Sequence, residues 1–372
     1  MSTIAKREWT TACGEKKTAW RLRYVDAGGT PRQKTFAKKG DASAYRDQLG
    51  YELRQGIHTP DSASTTVAVA GALWLDGRKL RGLERSTTKS YDEILRLHIE
   101  PLIGEEKLSR LTKPRVRLYV DALLGSRSRA MAAKALRQLV AIINDAQERG
   151  LVAQNVAKDV TIERAPRGKS KVVVPTKPNL KAMIAEAAEN HADYHPMLLT
   201  AIFTGMRSSE LRGFPRSGLD LKAATCTVTQ RADQWGVIGA PKSKAGYRTI
   251  PIPPMLVKAL REWMLRSPPS DLLFPNSDGG VRLHSNMLNR EYWPLQVDAG
   301  VVKGDGKALH TFHELRHAAA SAWITQKVDL KRLTTWLGHS SIQTTLDVYG
   351  HLIKDDEKDA AIAAAAEREL LG

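Results

Sequence analysis

Apolar residues recur along most of this chain at helical spacing. Val69, Leu73 and Trp74, then Tyr91, Ile94, Leu95 and Ile99, then Val116, Tyr119, Val120 and Leu123 predict successive amphipathic helices. Leu136, Leu139, Val140 and Ile143 predict another over about 128–149, stopped by Gly150. The pattern differs at the N-terminus. Trp20, Leu22, Tyr24 and Val25, the Gly28-Gly29 pair and the run from Gln33 to Phe36 read as strand, turn, strand, and a helix is expected at about 41–55. Beyond residue 170 helices are expected at about 177–189 and 195–204, the second closed by Gly205. A β segment follows, with Thr225 to Gln230 and Tyr247 to Ile252 flanking a turn near Gln234-Trp235-Gly236. Helices return at about 254–266, 285–297, 313–326, 329–337 and 341–350, and Ala360 to Ala366 belongs to a last one. The class is mainly α with small β-sheets, α+β.

Two breaks interrupt this pattern. Gly56 to Pro60 and the Ser62 to Thr66 stretch read as a linker, and Ala165-Pro166-Arg167-Gly168-Lys169-Ser170-Lys171 as a basic connector. They divide the chain into 1–61, 62–168 and 169–372.

Charge changes the picture more than composition does. Lys and Arg number 57 against 40 Asp and Glu, a net +17. The three segments carry +5, +7 and +5, so no single tail accounts for the excess. A polyanion gripped by several domains fits, and duplex DNA is such a ligand because neutralising phosphates releases counterions. Residues 354–372 are the exception, with 3 basic and 6 acidic side chains. The two cysteines, Cys13 and Cys226, fall in different segments, which argues against a disulfide scaffold. No stretch approaches the roughly 18 apolar residues of a membrane span, and a reducing cytoplasm is the expected location.

Four short stretches hold more polar chemistry than packing requires: TGMRSSEL at 204–211, PKSKAGYRTIPIP from 241, HELRHAAASAW from 313, and LGHSSIQTTLDVYGHL from 337. Two arginines offer planar forks for the oxygens of a phosphodiester, histidines offer further donors and proton transfer, and a tyrosine hydroxyl can attack. No Walker-type loop for ATP and no carboxylate cluster of the two-metal kind is present.

In the order and spacing of these stretches the chain resembles the tyrosine recombinases, and among them the integrases of temperate phages and other mobile elements. The resemblance implies that Arg207 is the first catalytic arginine, that His313 and Arg316 form the His-x-x-Arg box, that His339 is the later histidine and that Tyr349 is the nucleophile. Glu210 corresponds to an acid that steadies the site. Lys242 and Lys244 both lie where the family carries its catalytic lysine; Lys242 is favoured and Lys244 is the alternative. Departures are small: Ser209 for a common glycine, Ala318 for a frequent threonine, Gly218 for a frequent aspartate. The resemblance further implies a three-domain DNA clamp. It comprises an arm-type DNA-binding domain of three strands and a helix (1–61), a helical core-binding domain (62–168), and a catalytic domain with a tail helix (169–372). No metal or nucleotide cofactor is implied. The implied partners are double-stranded DNA attachment sites, further copies of the chain in a tetrameric synapse with the C-terminal helix docked in trans, a directionality factor and a host DNA-bending protein. The membrane is not among them.

Plainer readings stand beside these. His317 is read as a structural hydrogen-bonding residue, since it follows Arg316 and points elsewhere on the helix. Trp323 and Trp336 are read as core. His313 to His317 also satisfies the HExxH zinc pattern, but a peptidase explains neither the charge nor the arginine and tyrosine boxes. A non-cutting DNA-binding protein of the same architecture and a type IB topoisomerase are the remaining alternatives.

Overall fold

The structure, a computed structural model of the chain, describes residues 2–11, 13, 15–26, 28–62, 64–163, 172–353 and 359–371. The connector expected at 165–171 lies outside them. The chain falls into two compact units, Met1–Arg167 and Gly168–Gly372. It is mostly helical, with small antiparallel sheets.

The first unit opens with an antiparallel sheet of β1 (Thr3–Thr10), β2 (Lys16–Val25) and β3 (Pro31–Phe36), ordered β1-β2-β3. Helix α1 (Lys39–Gln55) lies on it, closing Leu22, Tyr24 and Leu49 into a small core. Strand β1 is absent from the hydrophobic pattern because all but one of its residues are exposed: it is held by its ladder to β2 rather than by an apolar face. Next come α2 (Val67–Leu80), α3 (Arg85–Ile94), α4 (Glu100–Ile103), α5 (Lys113–Ser126) and α6 (Arg129–Glu148), packed around Trp74, Tyr119 and Leu139. Thr66, Thr112 and Ser128 cap α2, α5 and α6 by accepting a backbone N–H, the expected use of short hydroxyl side chains at such ends. The face expected for α2 is corrected. Val69 and Leu73 point outward, 50% and 41% exposed, whereas Val67, Ala70, Gly71, Trp74 and Leu75 face the core, the small residues Ala70 and Gly71 letting neighbouring helices approach.

In the second unit α8 (His195–Thr204) is buried along most of its length among α7 (Lys177–Asn190), α10 (Pro254–Arg266) and α13 (Phe312–Thr325). A run of apolar residues with no polar stripe leaves such a helix nowhere but the interior. Short α9 (Ser208–Arg212) follows it. The sheet β4 (Leu219–Asp220), β5 (Thr225–Val228), β8 (Arg248–Pro251) is ordered β4-β5-β8, while β6 (Arg231–Ala232) and β7 (Ile238–Gly239) form a separate ribbon across the predicted turn. After α11 (His284–Asn286) and α12 (Trp293–Asp298), the helices α13, α14 (Leu330–Leu337) and α15 (Ile342–Ile353) enclose Ala320, Leu333, Leu337 and Tyr349. Trp323 and Trp336 meet edge to face at 5.2 Å, both partly buried against the main core of this unit, and Trp323 also packs on the Tyr349 cluster. The last described helix is α16 (Asp359–Leu371), with Leu370 and Leu371 exposed. No described helix is long and apolar enough to cross a membrane.

Candidate active site

Helix ends build this site. Helix α8 stops at Gly205, whose backbone takes φ +57°, and a Cβ there would stand 3.1 Å from that of Ala319 on α13. Only glycine meets both conditions at little cost. The turn lets α13 pass close, and the Gly205 carbonyl accepts from Arg316 Nη1 at 2.8 Å. Helix α14 ends likewise at Gly338, φ +64°, where a Cβ would stand 3.0 Å from both the Ala245 carbonyl and Arg248 Nη1. Gly338 accepts from Arg207 Nη2 at 3.0 Å, and the preceding Leu337 carbonyl accepts from Arg316 Nη2. Two guanidiniums are thus hung on carbonyls exposed by two helix ends.

Glu210 lies beneath them, 3% exposed. Its carboxylate accepts the Arg207 N–H at 2.8 Å and Arg207 Nη1 at 2.8 Å, and receives Arg248 Nη1 and Nη2 at 3.1 and 2.8 Å. Burial alone raises its pKa, but the hydrogen bonds and charge of Arg248, with Arg207, bring it down to about 2. Arg248 is buried too and donates Nε to the Trp336 carbonyl at 2.7 Å. Sequence reading missed it. Its signal is a lone cation on the inward phase of a strand, which needs a buried acid, and Glu210 is that acid. Removing one member leaves an uncompensated charge, so Arg248→Met is expected to lose roughly 3–5 kcal/mol in denaturant unfolding.

Arg316 is 3% exposed, and burial together with the charges of Arg207 and Arg248 lowers its pKa to about 9, which keeps it cationic at neutral pH. Arg207 is more open, its side chain 38% exposed. His339 leaves α14 just past Gly338 and is anchored through Nδ1 to Thr345 Oγ1 at 2.9 Å, which itself meets Thr334 Oγ1. That leaves Nε2 as the nitrogen to offer a ligand. Burial, then Arg316, Arg207 and Arg248, lower His339 to about 4.

Tyr349 is 1% exposed, and its hydroxyl lies 2.8 Å from Nδ1 of His317. Burial raises its pKa to about 12, against the opposing pull of Arg316 and Arg207. His313 sits exposed near the start of α13, its ring 4.9 Å from that of His317 one turn on. Partial desolvation and the charges of Arg316 and Arg207 lower its pKa. The hydrogen-bonding role expected of His317 is seen, and its partner is Tyr349. A position four residues after His313 shares its face, and that face meets α15 at Tyr349. Lys242 and Lys244 lie exposed on the segment between β7 and β8, and the following Ala245 and Gly246 abut Gly338 and Arg248. Both lysines therefore stay open as candidates.

Among the described residues no third ligand-type side chain converges on the two histidines of HExxH; the group of three that does converge is Glu186, His191 and Asp298.

The lowered histidines predict a pH response. A base whose folded pKa lies below its unfolded value near 6.5 stabilises fully above 6.5, and that contribution is lost as pH falls through about 4; for Glu210 the window runs from about 4.5 to about 2. The melting temperature is expected to fall progressively from pH 6.5 to 4, and His339→Asn to flatten that slope in a thermal scan series.

Residues 175–355 match the model of the phage integrase family. A XerC-like tyrosine recombinase of Caldanaerobacter subterraneus subsp. tengcongensis is 25% identical, over 88% of this chain and 90% of its own length. A putative prophage phiRv2 integrase of Mycobacterium tuberculosis is 26% identical, over 92% of this chain and 91% of its own. Among solved structures, the Tn1549 transposon integrase in complex with transposon right end DNA superposes with a TM-score of 0.67 at 18% identity, covering 81% of this chain and 100% of that one. A lambda integrase dimer bound to a core site gives 0.61 at 17% identity, covering 95% of each chain.

Proposed function

We propose, from the premise that this chain carries a tyrosine recombinase domain of the phage integrase family, that it is a site-specific DNA recombinase that integrates and excises a mobile element. The observation that carries the reading is the convergence of Arg207, Arg316, His339 and Tyr349 from three separate sequence stretches onto the ends of α8 and α14 and the facing sides of α13 and α15. Each arginine commits donors to the protein yet has five N–H groups, so further donors remain for the non-bridging oxygens of a phosphodiester. Fixed carbonyls hold those donors in place before DNA arrives, and preorganised charge of this kind lowers the barrier to a pentacoordinate phosphate. His339 and His313 add donors, and Lys242, or Lys244, protonates the 5′ oxygen as it leaves. Attack by Tyr349 makes a 3′-phosphotyrosyl bond that conserves the energy of the broken ester, so neither a nucleotide nor a metal enters the scheme.

In this reading 1–61 is the arm-type DNA-binding domain, 62–168 the core-binding domain and 169–372 the catalytic domain. The partners are double-stranded attachment sites, a tetramer of the chain itself, a directionality factor and a host DNA-bending protein. Helix α16, with Leu370 and Leu371 exposed, docks on a neighbouring protomer. Truncation at Lys354 is expected to leave single-site binding intact and to abolish synapsis in a gel-shift of two-site complexes; unchanged synapsis would remove the docking assignment.

The test is to sequence the DNA ends held in SDS-resistant adducts and place two copies of the recovered site on one plasmid. Resolution into two circles in EDTA without ATP is the expected result. Relaxation of a plasmid lacking the site would point to a topoisomerase, and tight binding without adduct to a non-cutting protein.

A further inference from the structure

The phenolic proton of Tyr349 needs a destination, and the sequence offers His313. The structure assigns a different one: we infer that His317 orients the Tyr349 hydroxyl through Nδ1 and accepts its proton during attack. This inference rests on the strand-transfer reading above.

The geometry is direct. Nδ1 of His317 lies 2.8 Å from the Tyr349 oxygen, and the rings meet edge to face with centroids 5.6 Å apart. For the phenol to donate, Nδ1 must be unprotonated, with the ring's one proton on Nε2. The surroundings favour that neutral form. Around His317 stand His313, Arg316 and Glu314 of its own helix and Tyr349 of α15; burial, then His313 and Arg316, lower its pKa to about 4, while Glu314 opposes them. The ring is thus uncharged at neutral pH and held against the one hydroxyl that must lose a proton; as a weak base it takes that proton only in concert with attack, when bonding to phosphorus makes the phenolic O–H strongly acidic. His313 shows no such contact with Tyr349; its ring meets that of His317 edge to face from the exposed side.

The step balances. The Tyr349 oxygen bonds to phosphorus, the bond from phosphorus to the 5′ oxygen breaks, the phenolic proton moves to Nδ1 of His317, and the leaving oxygen takes a proton from the lysine on the 242–244 segment. Religation runs this in reverse, with His317 returning its proton to Tyr349. Transfer to a positioned base is worth on the order of 100-fold or more in rate.

The experiment measures single-turnover cleavage of a nicked duplex carrying the site recovered from wild-type adducts, at saturating protein, for wild type, His317→Ala, His317→Asn and Tyr349→Phe. Melting temperature and duplex affinity are measured alongside. His317→Ala is expected to cleave about 100-fold more slowly with affinity unchanged, and added imidazole to restore at least a tenth of the wild-type rate. His317→Asn, whose amide presents an acceptor near the Nδ1 position but takes no proton, is expected to stay slow. Cleavage by His317→Ala at or above the wild-type rate would overturn the inference, making the contact a latch on the tyrosine. Wild-type rates in His317→Asn would also overturn it, leaving only an orienting hydrogen bond. An adduct missing from wild type would instead defeat the strand-transfer reading and this inference with it.

Discussion

Tyr349→Phe is expected to bind its site with wild-type affinity and form no covalent adduct, a loss on the order of 10⁴-fold or more in cleavage, as when an enzymatic nucleophile is deleted. The ring stays packed among Ala320, Leu333 and Leu337, so the fold is not at stake. What disappears is one oxygen, together with its hydrogen bond to His317, worth about 1 kcal/mol of stability. A gel-shift reporting binding and a denaturing gel reporting the adduct separate the two effects. Residual cleavage within tenfold of wild type would mean another residue attacks.

Arg207→Lys is expected to lose two to three orders of magnitude in cleavage despite keeping the charge. The Arg207 side chain does three things at once: it pairs with Glu210, reaches the Gly338 carbonyl and leaves part of its fork open to solvent. An ammonium has three donors on one atom and cannot span these directions, so whichever partner it keeps, the phosphate loses a bidentate contact. Because Glu210 retains Arg248, the fold is expected to survive with a modest fall in melting temperature. Single-turnover cleavage of a nicked site measures the catalytic loss. Near-wild-type cleavage by Arg207→Lys would show that position to need charge alone.

Much of this site is legible in the sequence because its residues sit at punctuation. Arg207 follows Gly205 and His339 follows Gly338, and glycine just past an apolar helix marks an end that can present carbonyls and side chains together. Arg316 and Tyr349 are legible through their boxes, although spacing alone cannot distinguish Tyr349 from an ordinary core aromatic, and packing makes it one. What stays hidden depends on tertiary register. Arg248 faces Glu210 only because β8 pairs with β5 in a register that sends Arg248 and Ile250 inward and Thr249 outward, and four residues carry too little periodicity to fix that phase. His317 is concealed by adjacency: beside Arg316 it reads as pointing away, whereas the one-turn spacing from His313 is what aims it at α15. The N-terminal strand has no apolar face to read, and α2 is turned by its small residues rather than by its large ones. The lysine is undecided in sequence and structure alike, since both candidates stand exposed on one short segment.

Tyr349 on α15 is expected to make the bond to DNA. Wild-type protein incubated in EDTA with nicked fragments of the replicon that carries its gene, denatured in SDS and digested with protease, yields a DNA-linked peptide whose sequence mass spectrometry can read. A peptide from α15 with the phosphodiester on Tyr349 is the expected product. A link to any other side chain, or an adduct that forms only with a divalent metal, would contradict it.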